Sequence, residues 1–302
     1  MMIDKAVFDT LVDRAMAMDG FSHMRPVIEK ELLHHDILFV LDKENLLDRL
    51  TFQGGTALRL CYGAQRLSED LDFAGGTEFV KDDLIQIKNC LEQYLGERYD
   101  LAVSVKEPKE VEIIAKNKGV IVNRWQLNVI TAPERKDLPK QKIKIEVVNI
   151  PAYSREPHAL RSHYDFLPDG YNDTLIMTES MDEIMADKIV SLVSCTRHIR
   201  YRDIWDLRWL KQQGAVFNFD YIQKKINDYG EIHYSSKREQ FSRNLRDIIH
   251  SKSFYDEMSR FIPLDVQERT LKKEKFLHFL QMEINTLLQE VASKGNLTGN
   301  AG

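Results

Sequence analysis

Thr-Phe-Gln-Gly-Gly-Thr-Ala-Leu-Arg-Leu at residues 51–60 and Arg-Leu-Ser-Glu-Asp-Leu-Asp-Phe at residues 66–73 are the segments that decide the fold. The first segment begins with a strand pattern, breaks at two glycines and continues with a helix pattern. The second ends in a strand in which apolar and acidic residues alternate. The sequence therefore predicts a strand, a diglycine turn, a helix and a second strand, around which the remaining elements are arranged.

The second strand carries two carboxylates. Asp70 and Asp72 lie two residues apart, and because side chains alternate along a strand, both are predicted to point the same way. Leu71 and Phe73 take the opposite, buried face. Two like charges on one face are costly unless a cation lies between them, and a divalent cation with oxygen ligands suits the pair best. An isolated Asp-x-Asp is more often a solvated edge.

The two glycines would let the backbone lie close to a ligand. Gly54 and Gly55 have no side chain to hold a ligand away, and Thr56 can open a helix whose free amides favour a phosphate. Arg66 and Ser68 precede the aspartates by even steps, so they share the same strand face if the strand begins that early. Ser68 is then either a phosphate contact or an ordinary turn residue.

Composition narrows the class of protein. The chain has 302 residues, 43% of them hydrophobic, and 42 Lys and Arg against 47 Asp and Glu give a net charge of −5. Nucleic acid would therefore have to bind a local basic patch. The three cysteines are scattered and lack metal-ligand spacing, which is typical of a reducing compartment. No signal-peptide pattern or long apolar run occurs, so a cytoplasmic protein without a membrane span is expected.

The order of elements predicts an α+β fold with two lobes. Helices are expected over 4–18, 24–47 and 78–96, and strands over 101–105, 111–115, 120–130 and 142–150. Further helices are expected over 179–197, 203–213, 221–227, 238–250 and 266–292. Prolines and a glycine between 151 and 170 mark a boundary. The prediction is a mixed sheet flanked by helices in residues 1–165, followed by a mostly helical lobe in residues 166–302.

A third carboxylate lies on a later strand. Ile143, Ile145 and Val147 share one predicted face of that strand, which leaves Lys144 and Glu146 on the other. Glu146 could therefore reach the same cleft as the two aspartates. The alternative is a surface glutamate paired with a neighbouring lysine.

Charged residues also mark the helical lobe. Lys188 falls inside the apolar stripe of its predicted helix, so its ammonium group must either reach the surface or face a pocket. Asp203 and Asp206 share one helix face, as a functional pair or as partners of an ordinary ion pair such as Arg202 with Asp206. A basic cluster surrounds them and is either a nucleic-acid contact or a solvated surface: Arg197, His198, Arg200, Arg202, Arg208 and Lys211.

Taken together, the diglycine turn and the Asp-x-Asp strand resemble the signature of the polymerase-beta-like nucleotidyltransferase superfamily. The form of residues 66–72, and Lys188 followed by Arg-Asp-Ile-Trp-Asp-Leu at residues 202–207, are similar to the AbiEii toxin family of nucleotidyltransferases. One departure is Gln53, where relatives often have lysine before the diglycine. That difference puts a phosphate contact from this position in doubt, without affecting the metal site.

The resemblance implies transfer of a nucleoside monophosphate from an NTP with Mg²⁺ or Mn²⁺. It assigns the metal ions to Asp70, Asp72 and Glu146. It assigns the nucleotide and its phosphates to Gly54, Gly55, Thr56, Arg66, Ser68, Lys188 and Asp206. Asp203 would be the acidic residue of the helical lobe that takes part in catalysis. RNA contacts would fall to Arg197, Arg200 and Arg202.

The family's setting is the toxin half of a bacterial toxin–antitoxin or phage-defence pair, with a cognate antitoxin and with RNA, above all the 3′ end of tRNA, as acceptor. Two alternatives stay open. A small hydroxylated acceptor fits the net charge of −5. A non-catalytic nucleotide-binding module would have kept the fold without the chemistry.

Overall fold

The computed structural model describes residues 5–18, 20–108, 112–113, 119–134, 140–167 and 170–299. Contacts within the chain divide it into two compact units, Met1–Glu179 and Ser180–Gly302. The Pro-rich stretch after residue 150, where sequence predicts the boundary between lobes, belongs to the first unit.

The first unit is built on a mixed sheet. Its described strands are β1 (Thr51–Gln53), β2 (Leu71–Ala74), β3 (Ala102–Lys106), β4 (Glu112–Ile113), β5 (Ile121–Ile130), β6 (Gln141–Val148), β7 (Glu156–Ala159) and β8 (Leu175–Thr178). Its described helices are α1 (Lys5–Met16), α2 (Arg25–Lys43), α3 (Gly54–Leu60) and α4 (Ile87–Tyr99), with short 3₁₀ turns at Lys81–Leu84 and Tyr171–Asp173. The strand order is β3-β5-β6-β2-β1-β8-β7, and β4 pairs with β5.

Strand directions explain why the sheet is mixed. β2 is parallel to β6 and β1 is parallel to β8, whereas the remaining pairs are antiparallel. One face is the core: Leu71 and Phe73 on β2, and Ile143, Ile145 and Val147 on β6, are at most 1% exposed. The other face therefore carries the polar partners of this alternation, as the sequence predicts for β6.

Helix α2 packs into the core with charged residues that are individually paired. Glu31 accepts hydrogen bonds of 2.8 and 2.9 Å from the Arg59 guanidinium on α3. Burial raises the pKa of Glu31, but Arg59 outweighs burial and lowers this pKa to about 2. Asp36 accepts a 2.7 Å hydrogen bond from Tyr99 and lies 2.8 Å from Arg98. Since removal of one member of a buried pair costs about 3–5 kcal/mol, these pairs fix α2 in place.

Some sequence-predicted elements are wrong in detail. Helix α3 begins at Gly54, so the diglycine is its first turn and no separate turn precedes it. The helix predicted over 78–96 is a 3₁₀ turn followed by α4. Within the stretch interpreted as a connection, β7 and β8 extend the sheet. β7 is an edge strand that contains Pro157, so its pattern is weak. The strand predicted over 111–115 lies partly outside the described residues.

The described part of the second unit is helical. Its helices are α5 (Met181–Ser194), α6 (Tyr201–Gln212), α7 (Phe219–Asp228), α8 (Tyr234–Ile249), α9 (Lys252–Ser259), α10 (Leu264–Arg269) and α11 (Glu274–Gly299). Ser180, Asn218 and Ser251 cap α5, α7 and α9 by accepting a backbone N–H hydrogen bond. The helix predicted over 266–292 is interrupted between α10 and α11, and α9 was not predicted. Among the described helices, none combines the length and the apolar character that a bilayer span requires.

Two buried histidines on α2 give the first prediction. Burial lowers the pKa of both His34 and His35 to about 4, and His35 is fully buried with no hydrogen bond to either ring nitrogen among the described residues. Unfolded His35 binds a proton below about pH 6.5, whereas the folded ring stays neutral, so acidification from pH 6.5 to 4 destabilises the fold. Below pH 6.5 the unsubstituted chain should lose about 1.4 kcal/mol of its free energy of unfolding per pH unit through His35. The His35→Phe variant should lack this contribution to the pH dependence.

The measurement is the free energy of unfolding by urea at several pH values between 4 and 6.5. His278 on α11 is exposed, and His278→Phe is the matched control, with a pH dependence like that of the unsubstituted chain. Parallel curves for His35→Phe and the unsubstituted chain would show that His35 is protonated in the folded state.

Candidate active site

The Asp-x-Asp segment lies in the middle of the sheet. Strand β2 begins at Leu71, so Asp70 immediately precedes the strand and Asp72 lies within it. The Asp70 Oδ1 atom accepts a 3.0 Å hydrogen bond from the backbone N–H of Lys144, and Oδ2 lies 3.3 Å from the Lys144 Nζ atom. The carboxylate of Asp70 thus lies against β6, and the strict alternation expected from sequence applies only from Leu71 onward.

Glu146 lies beside Asp72. The parallel register of β2 and β6 pairs Asp72 with Glu146, and the antiparallel register of β1 and β2 pairs Gln53 with Asp72. Arg124 on β5 pairs with Glu146, and its Nε atom donates a 2.7 Å hydrogen bond to Glu146 Oε1. Because paired residues of neighbouring strands project from the same face, Gln53, Asp72, Glu146 and Arg124 form one row across four strands.

The diglycine closes one side of this row. Gly54 has φ +79°, and a Cβ atom placed there would lie 2.8 Å from the Asp72 Oδ2 atom. A Cβ atom at Gly55 would overlap the Arg66 guanidinium and lie 3.1 Å from the Ser68 hydroxyl. A side chain at either glycine would therefore displace the polar group beside it, and at Gly54 the positive φ also favours glycine.

Buried contacts fix the segment before Asp70. The Thr56 hydroxyl donates to the Asp70 carbonyl, which joins α3 to the start of β2. Lys30 Nζ lies 2.7 Å from Glu69 Oε1, and the His34 ring lies within 3.0 Å of the Glu69 carbonyl oxygen. Thr56 is therefore engaged in holding the backbone, and helix α2 supports the residue next to the first aspartate.

The carboxylates of the candidate site are the kind of ligand that a hard divalent cation takes. Asp70, Asp72 and Glu146 supply carboxylate oxygens, which Mg²⁺ prefers. Their oxygens do not form a group within 4.8 Å of one another among the described residues. Lys144 and Arg124 instead balance the charges of Asp70 and Glu146. A cation at this site would take over the balancing that these two side chains provide.

Gln53 introduces a neutral polar group into the row. Its Oε1 atom is buried and accepts no hydrogen bond within the described part of the chain. A buried amide oxygen without a donor costs roughly 1–3 kcal/mol. The side chain therefore offers a hydrogen-bond acceptor next to Asp72, where a lysine would offer a charge.

In the second unit, Lys188 lies between two aspartates. Its Nζ atom is 3.0 Å from Asp203 Oδ1 and 2.8 Å from Asp206 Oδ2, and all three side chains are at most 6% exposed. Ser191 donates a 2.9 Å hydrogen bond to Asp203, and Arg200 pairs with Asp203 as well. Burial raises the pKa of Asp203, but Arg200 and Lys188 outweigh burial and hold it well below its usual range.

The other basic residues of this segment differ in their partners. Arg202 lies 3.5 Å from Glu257 and stacks on the Phe261 ring. Arg197 is exposed and makes no ion pair within the described residues. The sequence-predicted group of Lys188, Asp203 and Asp206 is thus one buried network, which Arg200 joins through Asp203, whereas Arg197 and Arg202 have separate surroundings.

A profile of the family described as the nucleotidyl transferase AbiEii toxin of type IV toxin–antitoxin systems matches residues 36–282. The chain belongs to this AbiEii family. It is therefore a nucleotidyltransferase toxin of the type IV toxin–antitoxin class. The resemblance of its motifs predicted a nucleotidyltransferase toxin of a toxin–antitoxin pair. A comparison with curated protein sequences finds no significant match.

Solved structures are similar to this AbiEii toxin in fold. MenT4, a nucleotidyltransferase toxin from Mycobacterium tuberculosis, matches with a TM-score of 0.57 and 15% identity, over 95% of this chain and 90% of MenT4. Two structures from Helicobacter pylori, one described as a nucleotidyltransferase and one as JHP933, match with TM-scores of 0.46 and 0.45 and identities of 21% and 20%. They cover 88% and 90% of this chain and 96% of each H. pylori chain. The likeness to MenT4 confirms an α+β nucleotidyltransferase fold.

Sequence reasoning missed the cations that pair with the candidate carboxylates. Arg124 and Lys144 neutralise Glu146 and Asp70, but these pairings follow from the register of β5, β6 and β2, which no local pattern gives. Lys225 was also missed. It is fully buried in α7, 2.7 Å from Glu183 and 3.0 Å from Asp187 on α5, where it ties the two helices together.

The close approach of Gly54 to Asp72 yields a prediction for this AbiEii toxin. Gly54→Ala should lower nucleotidyl transfer by about 100-fold, because the new methyl group displaces the Asp72 carboxylate and small misplacements of a reacting group have costs of this size. Gly76→Ala is the matched control, since Gly76 has φ +80° but a Cβ atom there would contact nothing within 4 Å.

Both alanines carry the same backbone strain, so the two variants should lose similar thermal stability. Transfer rates are compared at equal folded concentration. Equal activity in the two variants would show that the space beside Asp72 is not needed for transfer.

Proposed function

We propose that this AbiEii toxin transfers a nucleoside monophosphate from an NTP to the 3′ end of an RNA, with tRNA as the expected acceptor, and that the reaction depends on Mg²⁺ or Mn²⁺. The observation that carries the proposal is the row on the sheet in which Asp72 and Glu146 are neighbours and Gly54 faces Asp72. Asp70, one step before the strand, supplies the third carboxylate.

Asp70, Asp72 and Glu146 would hold the metal ions. A divalent ion bound there neutralises the triphosphate and favours the ionised form of the attacking hydroxyl. The acceptor oxygen forms a bond to the α-phosphorus, and the bond from the α-phosphorus to the β-phosphate oxygen breaks. Pyrophosphate leaves with the electron pair, and the hydroxyl proton passes to water.

Residues around the diglycine would bind the triphosphate. Gly54 and Gly55 leave the backbone open to phosphate oxygens, Arg66 supplies a guanidinium over Gly55, and Ser68 supplies a hydroxyl. Thr56 would act by holding Asp70 through its carbonyl. The contacts of these residues inside the first unit support the triphosphate-binding roles that the sequence predicted for them.

Lys188, Asp203 and Asp206 keep their proposed roles in nucleotide binding and catalysis on the basis of the family resemblance. Their ion pairs support a shared role, because a change at any one of them removes a charge from a buried network. Arg197, Arg200 and Arg202 remain proposed RNA contacts. The proposed setting is the bacterial cytoplasm, in a phage-defence pair with a cognate antitoxin.

The double substitution Asp70→Asn and Asp72→Asn tests this function. Transfer should fall by at least about 1000-fold, because amides hold a divalent ion far less well than carboxylates. Labelled NTP is incubated with Mg²⁺ and total tRNA, and incorporation is measured together with growth arrest on expression. Asp82→Asn with Asp100→Asn is the matched control, since both residues are exposed and lie outside the row.

The control variant should label tRNA and arrest growth like the unsubstituted toxin. Label that enters only a small hydroxylated compound would move the acceptor to that class. Growth arrest that persists in the Asp70 and Asp72 variant would favour a non-catalytic nucleotide-binding module.

A further inference from the structure

The face of the sheet that carries Asp72 and Glu146 continues beyond these carboxylates as a polar strip. The register of β6, β5 and β3 pairs Lys144 with Gln126 and then Lys106, and pairs Lys142 with Asn128 and then Ser104. Paired residues project from the same face, so all of these lie on the face that carries Asp72 and Glu146. The buried face of β6 carries Ile143, Ile145 and Val147 and belongs to the core.

Charge changes along this strip. Next to β2 the cations are neutralised, because Lys144 pairs with Asp70 and Arg124 pairs with Glu146. Farther along, the side chains of Lys142 and Lys106 are exposed and make no ion pair or hydrogen bond with any described residue. The strip therefore presents two cations, without a carboxylate partner in the described chain, on the same face as the site.

The amides between the lysines are already organised. Gln126 donates a 2.8 Å hydrogen bond to the Asn128 side chain, and Asn128 donates to the Ser104 and Gln126 carbonyls at 3.3 Å. Lys142 is four residues from Glu146 along β6, a distance of about 13 Å at the rise of a strand. The strip is thus preformed, spans the length of a few nucleotides and ends at the carboxylates. We call the part formed by Lys106, Lys142, Gln126 and Asn128 the track.

We infer that this track holds the phosphates of the single-stranded 3′ end of the RNA acceptor through Lys142 and Lys106, while Asn128, which is 3% exposed, orients the Gln126 side chain. The inference rests on the proposed function and adds where the acceptor lies. Cations without carboxylate partners are complementary to a phosphate chain, and the net charge of −5 leaves no whole-chain attraction to supply binding. A single strand fits because its terminal hydroxyl must reach the carboxylates.

The sheet face offers more uncompensated positive charge to phosphates than the basic segment of the second unit does. Of the three arginines in that segment, Arg200 is paired with Asp203 and Arg202 with Glu257, which leaves Arg197 without an ion pair within the described residues. Binding of RNA to the track is expected to be electrostatic and independent of the RNA sequence. The described side chains there offer amides and ammonium groups, and none of them is an aromatic ring on which a base could stack.

The test is the salt dependence of RNA affinity, measured by fluorescence anisotropy with a labelled single-stranded RNA and the full-length toxin. The slope of log affinity against log salt falls by about 0.7 for each single-strand phosphate contact that is lost. The variant Lys106→Gln with Lys142→Gln should therefore have a slope shallower by about 1.4. Its KM for RNA in the transfer reaction should rise at least about tenfold.

Lys43→Gln with Lys81→Gln is the matched control. Both lysines are exposed, make no ion pair in the described structure, and lie off the sheet, and the change of net charge is the same. The control should keep the slope and KM of the unsubstituted toxin. Equal slopes in the two double variants would overturn the inference, because the track would then contact no phosphate.

Failure of the proposed function gives a different result. One such result is RNA binding with the expected difference in salt slope between the two double variants while no label enters any RNA. That result would support the track as an RNA-binding surface and refute RNA as the acceptor. If the unsubstituted toxin binds no RNA at any salt concentration while it consumes NTP with a small hydroxylated acceptor, both the track and the RNA acceptor are refuted.

Discussion

The central constraint of this structure is the repulsion among Asp70, Asp72 and Glu146, which strand register places near one another. Like charges on adjacent strands destabilise a sheet unless cations lie between them. Arg124 and Lys144 provide that balance from β5 and β6. A bound divalent ion would do so more effectively, because carboxylates are its preferred ligands. Arg124 and Lys144 thus supply, among the described residues, part of the charge balance that a bound ion would also provide.

Helix α2 makes this arrangement rigid. It reaches α3 through Glu31 and Arg59, and reaches the segment before Asp70 through Lys30 and Glu69. A buried ion pair gives little net stability when compared with an apolar pair, but losing one partner is costly. The pairs on α2 thus specify position more than they add stability. The same reasoning applies to Lys188 and its two aspartates in the second unit.

Much of the site could be predicted from local patterns. The alternation along β2 and β6 indicated which residues face the core, and the even spacing placed Glu146 on the polar side. What local patterns could not give was the pairing between strands. The neighbours of Glu146 and Asp70 depend on register. β7 was missed because a short edge strand with a proline lacks a strong period, and β8 because it is only four residues long. The position of Gly54 against Asp72 likewise depends on the β1 to β2 pairing.

The most direct measurement is the diffraction of crystals grown with Mn²⁺ and a non-hydrolysable NTP analogue. We expect anomalous peaks within about 2.2 Å of oxygens of Asp70 and Asp72, with Arg124 withdrawn from Glu146. The triphosphate should lie against Gly54 and Gly55. Manganese bound away from these aspartates, with the nucleotide distant from the diglycine, would contradict the assignment of the site.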